Sequence, residues 1–259
     1  MVDAGYVLAG SLTGFMVGLT GVGGGALMTP ILLIFFGVPP TAAIATDLWF
    51  AAITKLVGAR VHHMRGSVDW HVAKLLWLGS LPMAALIVGM VGWGVAAAKV
   101  AWLTKAIGVV VLIAAIGLLC APQLLAYARV RGIGRADRFR AAQPALAVVS
   151  GAVLGLCVAL TSVGAGALGS VLLLCLYPQR MTPHRLVATD IVHAIPLAVV
   201  AGLGYLFAGM VNGQLLMSLL AGSIPAVLLG SLLAEKISGR WIQLCLALAL
   251  MGSGLKVLL

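Results

Sequence analysis

Charged side chains are scarce in this 259-residue sequence, at 8% of residues, whereas 63% are hydrophobic. An ordinary soluble domain carries roughly 25% charged residues, so the composition excludes that class and indicates a membrane protein. Only six residues are acidic, against 16 Lys and Arg. Long uncharged stretches leave no continuous face for phosphates, so we expect no nucleic-acid partner. The positive excess is instead typical of cytoplasmic loops.

Motifs for catalysis and metal binding are also lacking. The sequence has no CxxC pair, no HExxH, no GxSxG and no GxxxxGK[ST]. Its four widely spaced cysteines are typical of small apolar core residues: Cys120, Cys157, Cys175 and Cys245. We therefore expect no enzyme, no cofactor, no metal site and no ATP hydrolysis by the chain itself.

Apolar segments dominate the chain, and a helix needs about 20 such residues to cross the hydrocarbon of a bilayer. Eight segments qualify, near 5–37, 42–62, 71–93, 99–120, 144–177, 184–208, 213–234 and 241–258. A basic linker with five arginines separates the fourth segment from the fifth. The sequence thus predicts an all-α integral membrane protein in three parts: a first membrane repeat (1–122), a cytoplasmic linker (123–143) and a second membrane repeat (144–259).

The two membrane parts repeat each other in sequence. The stretch 20–27, TGVGGGAL, matches 161–168, TSVGAGAL, at an offset of 141. Further matches follow at an offset of 143: Ala45-Thr46-Asp47 with Ala188-Thr189-Asp190, Gly66 with Gly209, and Gly79-Ser80-Leu81-Pro82 with Gly222-Ser223-Ile224-Pro225. Several landmarks in one order indicate an internal duplication.

The first segment of each repeat is too long for one span and is interrupted by glycines. If the chain enters, breaks and returns there, thirteen Lys and Arg fall on one side of the membrane and three on the other. A single tilted helix gives ten against six. Because basic residues favour the cytoplasm, we predict a re-entrant or hairpin first segment followed by three transmembrane helices in each repeat. The repeats are then inverted, the linker is cytoplasmic and both termini lie outside.

The glycine breaks predict a binding site. Backbone groups opened inside a membrane must face protein or a water-filled cavity, and broken helices at matching positions of two repeats point to a transporter's substrate site. Free N–H groups and the positive end of the following helix suit an anion. The predicted substrate-binding residues are Thr20, Gly21, Gly23, Gly24, Gly25, Thr161, Ser162, Gly164 and Gly166, with Thr46 and Thr189. The alternative is that the glycines only permit close helix packing.

Two carboxylates, Asp47 and Asp190, follow a helix-opening proline by seven residues and lie deep in apolar segments. Ionisable residues at such depth commonly mark pathways or proton relays. His193, three residues after Asp190, shares its helix face, whereas the first repeat has Phe50 there. We predict Asp47, Asp190 and His193 as proton-coupling residues, the alternative being that the carboxylates brace the glycine loops. Lys55 either snorkels, pairs or attracts an anion.

These residues resemble the sulfite exporter TauE/SafE family of membrane anion permeases over nearly the whole chain. The resemblance lies in Gly21-Val22-Gly23-Gly24-Gly25 followed by Pro30, in Pro40 leading to Ala45-Thr46, in Gly66-Ser67-Val68-Asp69-Trp70, and in the weaker second copy. The second copy has Val171 where the first has Pro30. The resemblance implies export or exchange of sulfite, thiosulfate or organosulfonates across a bacterial-type inner membrane.

The sequence hypothesis is a secondary transporter that binds a small anion between the two glycine breaks. Protons couple to transport, with Na⁺ as an alternative, and rocking of the two halves alternates access. A passive or uptake permease for another organic anion, and a non-catalytic subunit of a larger complex, stay open as alternatives. The identity of the anion and the oligomeric state stay open as well.

Overall fold

The computed structural model describes residues 3–20, 25–63, 68–92, 105, 107–117, 119–120, 123, 137–164, 166–178, 180–233 and 239–258. Within these residues the chain is helical and contains no strand. The helices are α1 (Ala4–Thr20), α2 (Gly25–Phe36), α3 (Pro40–His63), α4 (Trp70–Gly92), α5 (Ile107–Gly117), α6 (Asp137–Thr161), α7 (Ala167–Leu176), α8 (Pro183–Phe207), α9 (Gly213–Leu233) and α10 (Gly239–Leu258). Five of them, α3, α4, α6, α8 and α9, are long and apolar enough to cross a membrane. The predicted all-α membrane class is confirmed.

Both long first segments are interrupted at the predicted glycines. Helix α1 ends at Thr20 and α2 begins at Gly25, while α6 ends at Thr161 and α7 begins at Ala167. Helices α2 and α7 have 12 and 10 residues. At 1.5 Å per residue they are about 18 and 15 Å long, whereas the hydrocarbon core is about 30 Å thick. Neither short helix spans a bilayer alone.

Helix α6 begins at Asp137, inside the stretch predicted as linker. Its first turns are polar, and hydropathy therefore does not detect them. Gln143 ties this extension to α7, because its amide donates a hydrogen bond of 2.9 Å to the carbonyl of Leu176. The remaining linker residues, 124–136, lie outside the described part of the chain.

Glycines set the closest helix contacts, and these contacts follow the sequence repeat. Helix α1 packs along α9, where Gly10 lies against the backbone of Leu219. Helix α6 packs along α4 in the same way, with Gly151 against the backbone of Leu76. Gly10 and Gly151 are related by the 141-residue offset, and Leu76 and Leu219 by the 143-residue offset. The first helix of each repeat thus packs on a helix of the other repeat, as small residues allow in membranes.

This exchange divides the helices into two bundles that differ from the sequence halves. We call α1, α2, α3, α9 and α10 bundle I, and α4, α6, α7 and α8 bundle II. Helix α5 is counted with bundle II because its Gly117 lies against Val171 of α7. Each has its own apolar core: Met28, Phe50 and Leu219 belong to that of bundle I, and Leu76 and Leu173 to that of bundle II. In chain order, α3 of bundle I is followed by α4 of bundle II, and α8 of bundle II is followed by α9 of bundle I.

The bundles meet where repeat-equivalent helices pair. Helix α3 contacts α8, with the indole N–H of Trp49 donating to the carbonyl of Gly202 at 3.0 Å and Lys55 reaching Asp190. Residue numbers rise along α3 as they fall along α8, so the two helices are antiparallel. A second such contact joins α5 to α10, where Gly108 lies against Leu258. A third apolar cluster fills the space between the bundles.

Candidate functional site

The second glycine break has a defined backbone. After α6 ends, Ser162 has a φ of +58° and Gly164 a φ of +127°, in the left-handed region that glycine adopts without strain. The hydroxyl of Thr161 donates to the carbonyl of Cys157 and accepts from the N–H of Val163. Thr161 therefore shapes the turn, and its predicted contact with substrate stays a prediction.

Ser162 and Gly164 are buried at the end of α6, as is Gly166. Gly166 precedes α7, and no side chain caps that helix. The Ser162 hydroxyl has no hydrogen-bond partner among the described residues and lies beside Asp47. Buried hydroxyls normally have a hydrogen-bond partner, which makes Ser162 a candidate for contact with a ligand. These three residues stay predicted binding residues.

The first glycine break lies largely outside the described residues. Gly21, Gly23 and Gly24 fall there, and so does the side chain of Thr20. Gly25 is described as the first residue of α2. The predicted roles of these five residues are not tested by the geometry.

Asp47 lies on α3, fully buried, and joins α3 to α2. Its Oδ2 accepts a hydrogen bond of 2.5 Å from the hydroxyl of Thr29. Its Oδ1 has no partner among the described residues. The first predicted carboxylate therefore lies where α2, α3 and the break at Ser162 meet.

Asp190 lies on α8 and has a different partner. The ammonium of Lys55, on α3, is 3.2 Å from its Oδ2. The side chains of Lys55 and Asp190 are 4% and 1% exposed. A Cβ at Gly169, on α7, would collide with Oδ1 of Asp190, so glycine at this position lets the carboxylate approach α7. The repeat counterpart of Lys55 is Ala198, which explains why only one carboxylate has a lysine partner.

His193 is completely buried on α8. Its Nε2 lies 3.0 Å from the hydroxyl of Ser80, on α4, and its Nδ1 has no partner among the described residues. The sequence places His193 on the same helix face as Asp190. In the described part of the chain each has another partner, while both lie at the contact of α8 with its neighbours.

Thr46 and Thr189 occupy equivalent positions next to the two carboxylates. The Thr189 hydroxyl accepts from the N–H of Asp69 at 3.0 Å, and the Thr46 hydroxyl accepts from the N–H of Asn212 at 3.4 Å. Asp69 and Asn212 in turn accept from N–H groups in the first turns of α4 and α9. Asp69 and Asn212 thus cap the starts of α4 and α9. Substrate binding by the two threonines stays a prediction.

Sequence reasoning missed three contributors to this region: Thr29, Ser80 and Gly169. Their residue types are ordinary in membrane helices, so only their place in the fold marks them. Lys55 did give a signal, as a lysine inside an apolar segment, and pairing was one of three readings of it. Ionic pairing is the one that the structure bears out.

The described residues hold no group of three or more His, Cys, Asp or Glu side chains that suits a metal ion. They do place two carboxylates, one ammonium and one imidazole in an apolar interior at or beside the contact of α3 with α8. Such groups can exchange protons and bind small ions. Because burying them at this depth is costly, they commonly mark a functional site.

The chain is similar to known membrane transporters. The family model described as sulfite exporter TauE/SafE matches residues 6–257. The probable membrane transporter protein YjnA of Bacillus subtilis is 35% identical over 258 residues, which cover 97% of this chain and 98% of YjnA. A second probable membrane transporter of that organism, YdhB, is 25% identical over 218 residues, or 84% of each chain.

Haemophilus influenzae has a probable membrane transporter protein that is 32% identical over 77 residues, covering 27% of this chain and 29% of its own. No solved structure matches the chain. With a family match over nearly its whole length and a full-length relative, the chain belongs to the sulfite exporter TauE/SafE family and is a membrane transporter, not an enzyme.

Proposed function

We propose that this transporter is a secondary exporter of small sulfur-containing anions such as sulfite, thiosulfate or organosulfonates, and that its transport is coupled to protons. The family description names sulfite. The observation that carries the proposal is the burial of Asp47, Asp190 and His193 in an apolar interior. Carboxylates and an imidazole in that position are the usual components of a proton relay.

Alternating access between two inverted repeats is the mechanism that fits the packing. Repeat-equivalent helices pair antiparallel, α3 with α8 and α5 with α10, as expected when a two-fold axis lies in the membrane plane. The moving units in our proposal are bundles I and II. Rocking of the sequence halves would instead separate α1 from α9 and α4 from α6, where glycines bring the backbones into contact.

The proposed location is the inner membrane of a bacterial-type cell, with the linker in the cytoplasm and both termini outside. Exposed apolar side chains support a lipid-facing surface, with Phe207 86% and Leu8 71% exposed. The basic linker supports the orientation.

Uptake into proteoliposomes tests the function. We would measure radiolabelled sulfite, thiosulfate and sulfoacetate, with and without a pH gradient, for the wild type and Asp190→Asn. Asp3→Asn is the matched control, because Asp3 is an exposed carboxylate at the start of α1. We expect gradient-driven flux of at least one anion, lost in Asp190→Asn and kept in the control.

Other outcomes separate the alternatives. Flux that ignores both the gradient and the Asp190 substitution would indicate a passive permease. Flux driven by an imposed Na⁺ gradient would show that Na⁺, and not the proton, is the coupling ion. Absence of flux for all three anions in the wild type would withdraw the sulfur-anion assignment.

A further inference from the structure

Lys55 is the only Lys or Arg that the described part of the chain buries. It projects from α3 of bundle I, and its partner Asp190 belongs to α8 of bundle II. This ion pair therefore bridges the two units that the proposed mechanism moves.

Stability alone is a weak reason for such a pair. Removing two charges from water costs several kcal/mol per ion, and replacing a buried pair by apolar residues is often neutral or stabilising. The fold itself offers that replacement, since Ala198 is buried at the repeat position of Lys55. Because Lys55 has no lysine counterpart in the second repeat, the surroundings of Asp190 differ from those of its repeat counterpart Asp47.

Lys55 also lines a small cavity within bundle I, to which Ile191 of α8 contributes from bundle II. The cavity has a volume of about 10 Å³, close to the size that admits one water molecule. Its walls come from α1, α3, α8 and α9: Val17, Gly18, Thr54, Lys55, Gly58, Ile191, Val227 and Ser231. Gly58 has open space beside it, whereas the hydroxyls of Thr54 and Ser231 donate to carbonyls of their own helices. The charged group that lines this cavity is the ammonium of Lys55.

The charge balance of this place is simple. Lys55 and an ionised Asp190 together are neutral, and an added anion would leave one uncompensated negative charge in an apolar interior, which is expensive. If Asp190 takes up a proton, it loses its negative charge and its ionic attraction to the ammonium, and a single anion then restores neutrality. Anion binding and protonation of Asp190 are then linked, each favouring the other.

Other titratable groups near this place are few. On α8, His193 bonds Ser80, Arg185 pairs with Asp69 at 3.5 Å and Tyr205 donates to the carbonyl of Ala159. On α3, Asp47 lies eight residues from Lys55, about 12 Å along the helix axis, and bonds Thr29. Helix α9 carries no ionisable side chain. The other packed helices contribute the following described groups: Tyr6 on α1, His71 and Lys74 on α4, Arg140 and Cys157 on α6, and Cys175 on α7.

We propose that Lys55 is the cation that binds the transported anion. In the empty transporter the ionised Asp190 pairs with Lys55, and protonation of Asp190 releases the lysine to the anion. This inference rests on the proposed function and makes it more specific. With one positive charge available, the site prefers singly charged anions, such as hydrogensulfite or a simple sulfonate, over doubly charged thiosulfate.

Thermal unfolding of the detergent-solubilised protein, with anions added, tests the proposal. The probes are methanesulfonate, acetate and thiosulfate at pH 6 and pH 8. The variants are Asp190→Asn, Lys55→Met, the double variant Lys55→Met/Asp190→Leu, and Lys74→Met as the control that removes an exposed lysine from α4. The double variant covers the case in which Lys55→Met alone leaves a buried carboxylate unpaired and does not fold.

We expect methanesulfonate or acetate to stabilise the wild type, more at pH 6 than at pH 8 and more than thiosulfate does. Asp190→Asn should be stabilised equally at both pH values. The double variant should unfold near the wild-type temperature without anions and bind them at least about tenfold more weakly, as the loss of one charge-assisted hydrogen bond predicts. Lys74→Met should behave as the wild type.

Wild-type anion affinity in the folded double variant would overturn the proposal and make the pair a structural bridge. So would an equal loss in Lys74→Met, or no stabilisation of the wild type by any anion. Stabilisation by acetate, lost with Lys55, in a protein that transports no sulfur anion would support Lys55 while refuting the sulfur-anion function. The two failures are therefore distinguishable.

Discussion

Thr29 donates a 2.5 Å hydrogen bond to Asp47 and so joins α2 to α3 beside the glycine breaks. The repeat counterparts do not form the same bond, because the hydroxyl of Ser170 donates to the carbonyl of Gly166 and Asp190 pairs with Lys55. Two carboxylates at equivalent sequence positions thus have different surroundings. We expect them to have different functions.

Replacing Thr29 by Val should destabilise the protein, because it leaves a buried carboxylate oxygen without its donor at a cost of about 1 to 3 kcal/mol. Thr29→Ser keeps the hydroxyl and should lie near the wild type. The measurement is the unfolding temperature in detergent. Thr13→Val is the matched control, since the buried hydroxyl of Thr13 donates only to carbonyls of its own helix. If Thr13→Val and Thr29→Val lowered the unfolding temperature equally, the bond to Asp47 would stabilise the protein no more than a hydrogen bond within one helix.

Adding a methyl group at Gly14 should separate α1 from α9. A Cβ there would lie 2.6 Å from the carbonyl oxygen of Ser223, and crowding of this kind costs about 1 to 3 kcal/mol. We expect Gly14→Ala to lower the unfolding temperature by several degrees. Gly252→Ala is the control, because a Cβ at Gly252 meets nothing within 4 Å. Unchanged stability of Gly14→Ala would contradict the close packing on which bundle I depends.

His193→Phe should reduce proton-driven flux while leaving exchange without a gradient in place. The substitution puts into the second repeat the residue that the first repeat has at Phe50. His193→Gln keeps a hydrogen-bonding group near Ser80 but does not titrate in this pH range, and it should show the same loss. The measurement is proteoliposome uptake with and without a pH gradient. If His193→Gln keeps full gradient dependence, His193 acts only by holding α8 to α4.

The predicted orientation can be tested by labelling single cysteines in a background without native ones. A cysteine at Ala136, in the linker, should react only from the cytoplasm. One at Gly213, the exposed first residue of α9, should react only from outside. A membrane-impermeant maleimide applied to intact cells and to inverted vesicles makes the measurement. Labelling of both positions from one side would contradict the inverted arrangement.

The sequence predicts much of the fold because its signals are local. Long apolar runs predict the spanning helices. The glycine clusters predict the breaks, and α1 and α6 do end beside them, at Thr20 and Thr161. The start of α6 at Asp137 was missed because a polar helical turn has no hydropathy signal.

The candidate site was predictable only in part, for a physical reason. An aspartate inside an apolar segment is visible in the sequence as a costly exception, and Asp47 and Asp190 could therefore be predicted. Its partner is chosen by contacts between distant helices, and the bond from Lys55 to Asp190 joins residues 135 positions apart. The same holds for the bundles, since no pattern in α1 specifies that it packs on α9.

The packing of α1 on α9 also sets the order in which the chain can assemble. Helix α1 is made first, but its main partner follows roughly 200 residues later, whereas α4 to α8 are contiguous. Because domains tend to fold as their residues become available during synthesis, bundle II can close while the ribosome is still making α9. Bundle I must wait, with the glycine face of α1 uncovered, until the last two helices enter the membrane. A nascent chain stalled before α9 would hold one finished bundle and an α1 without its main partner.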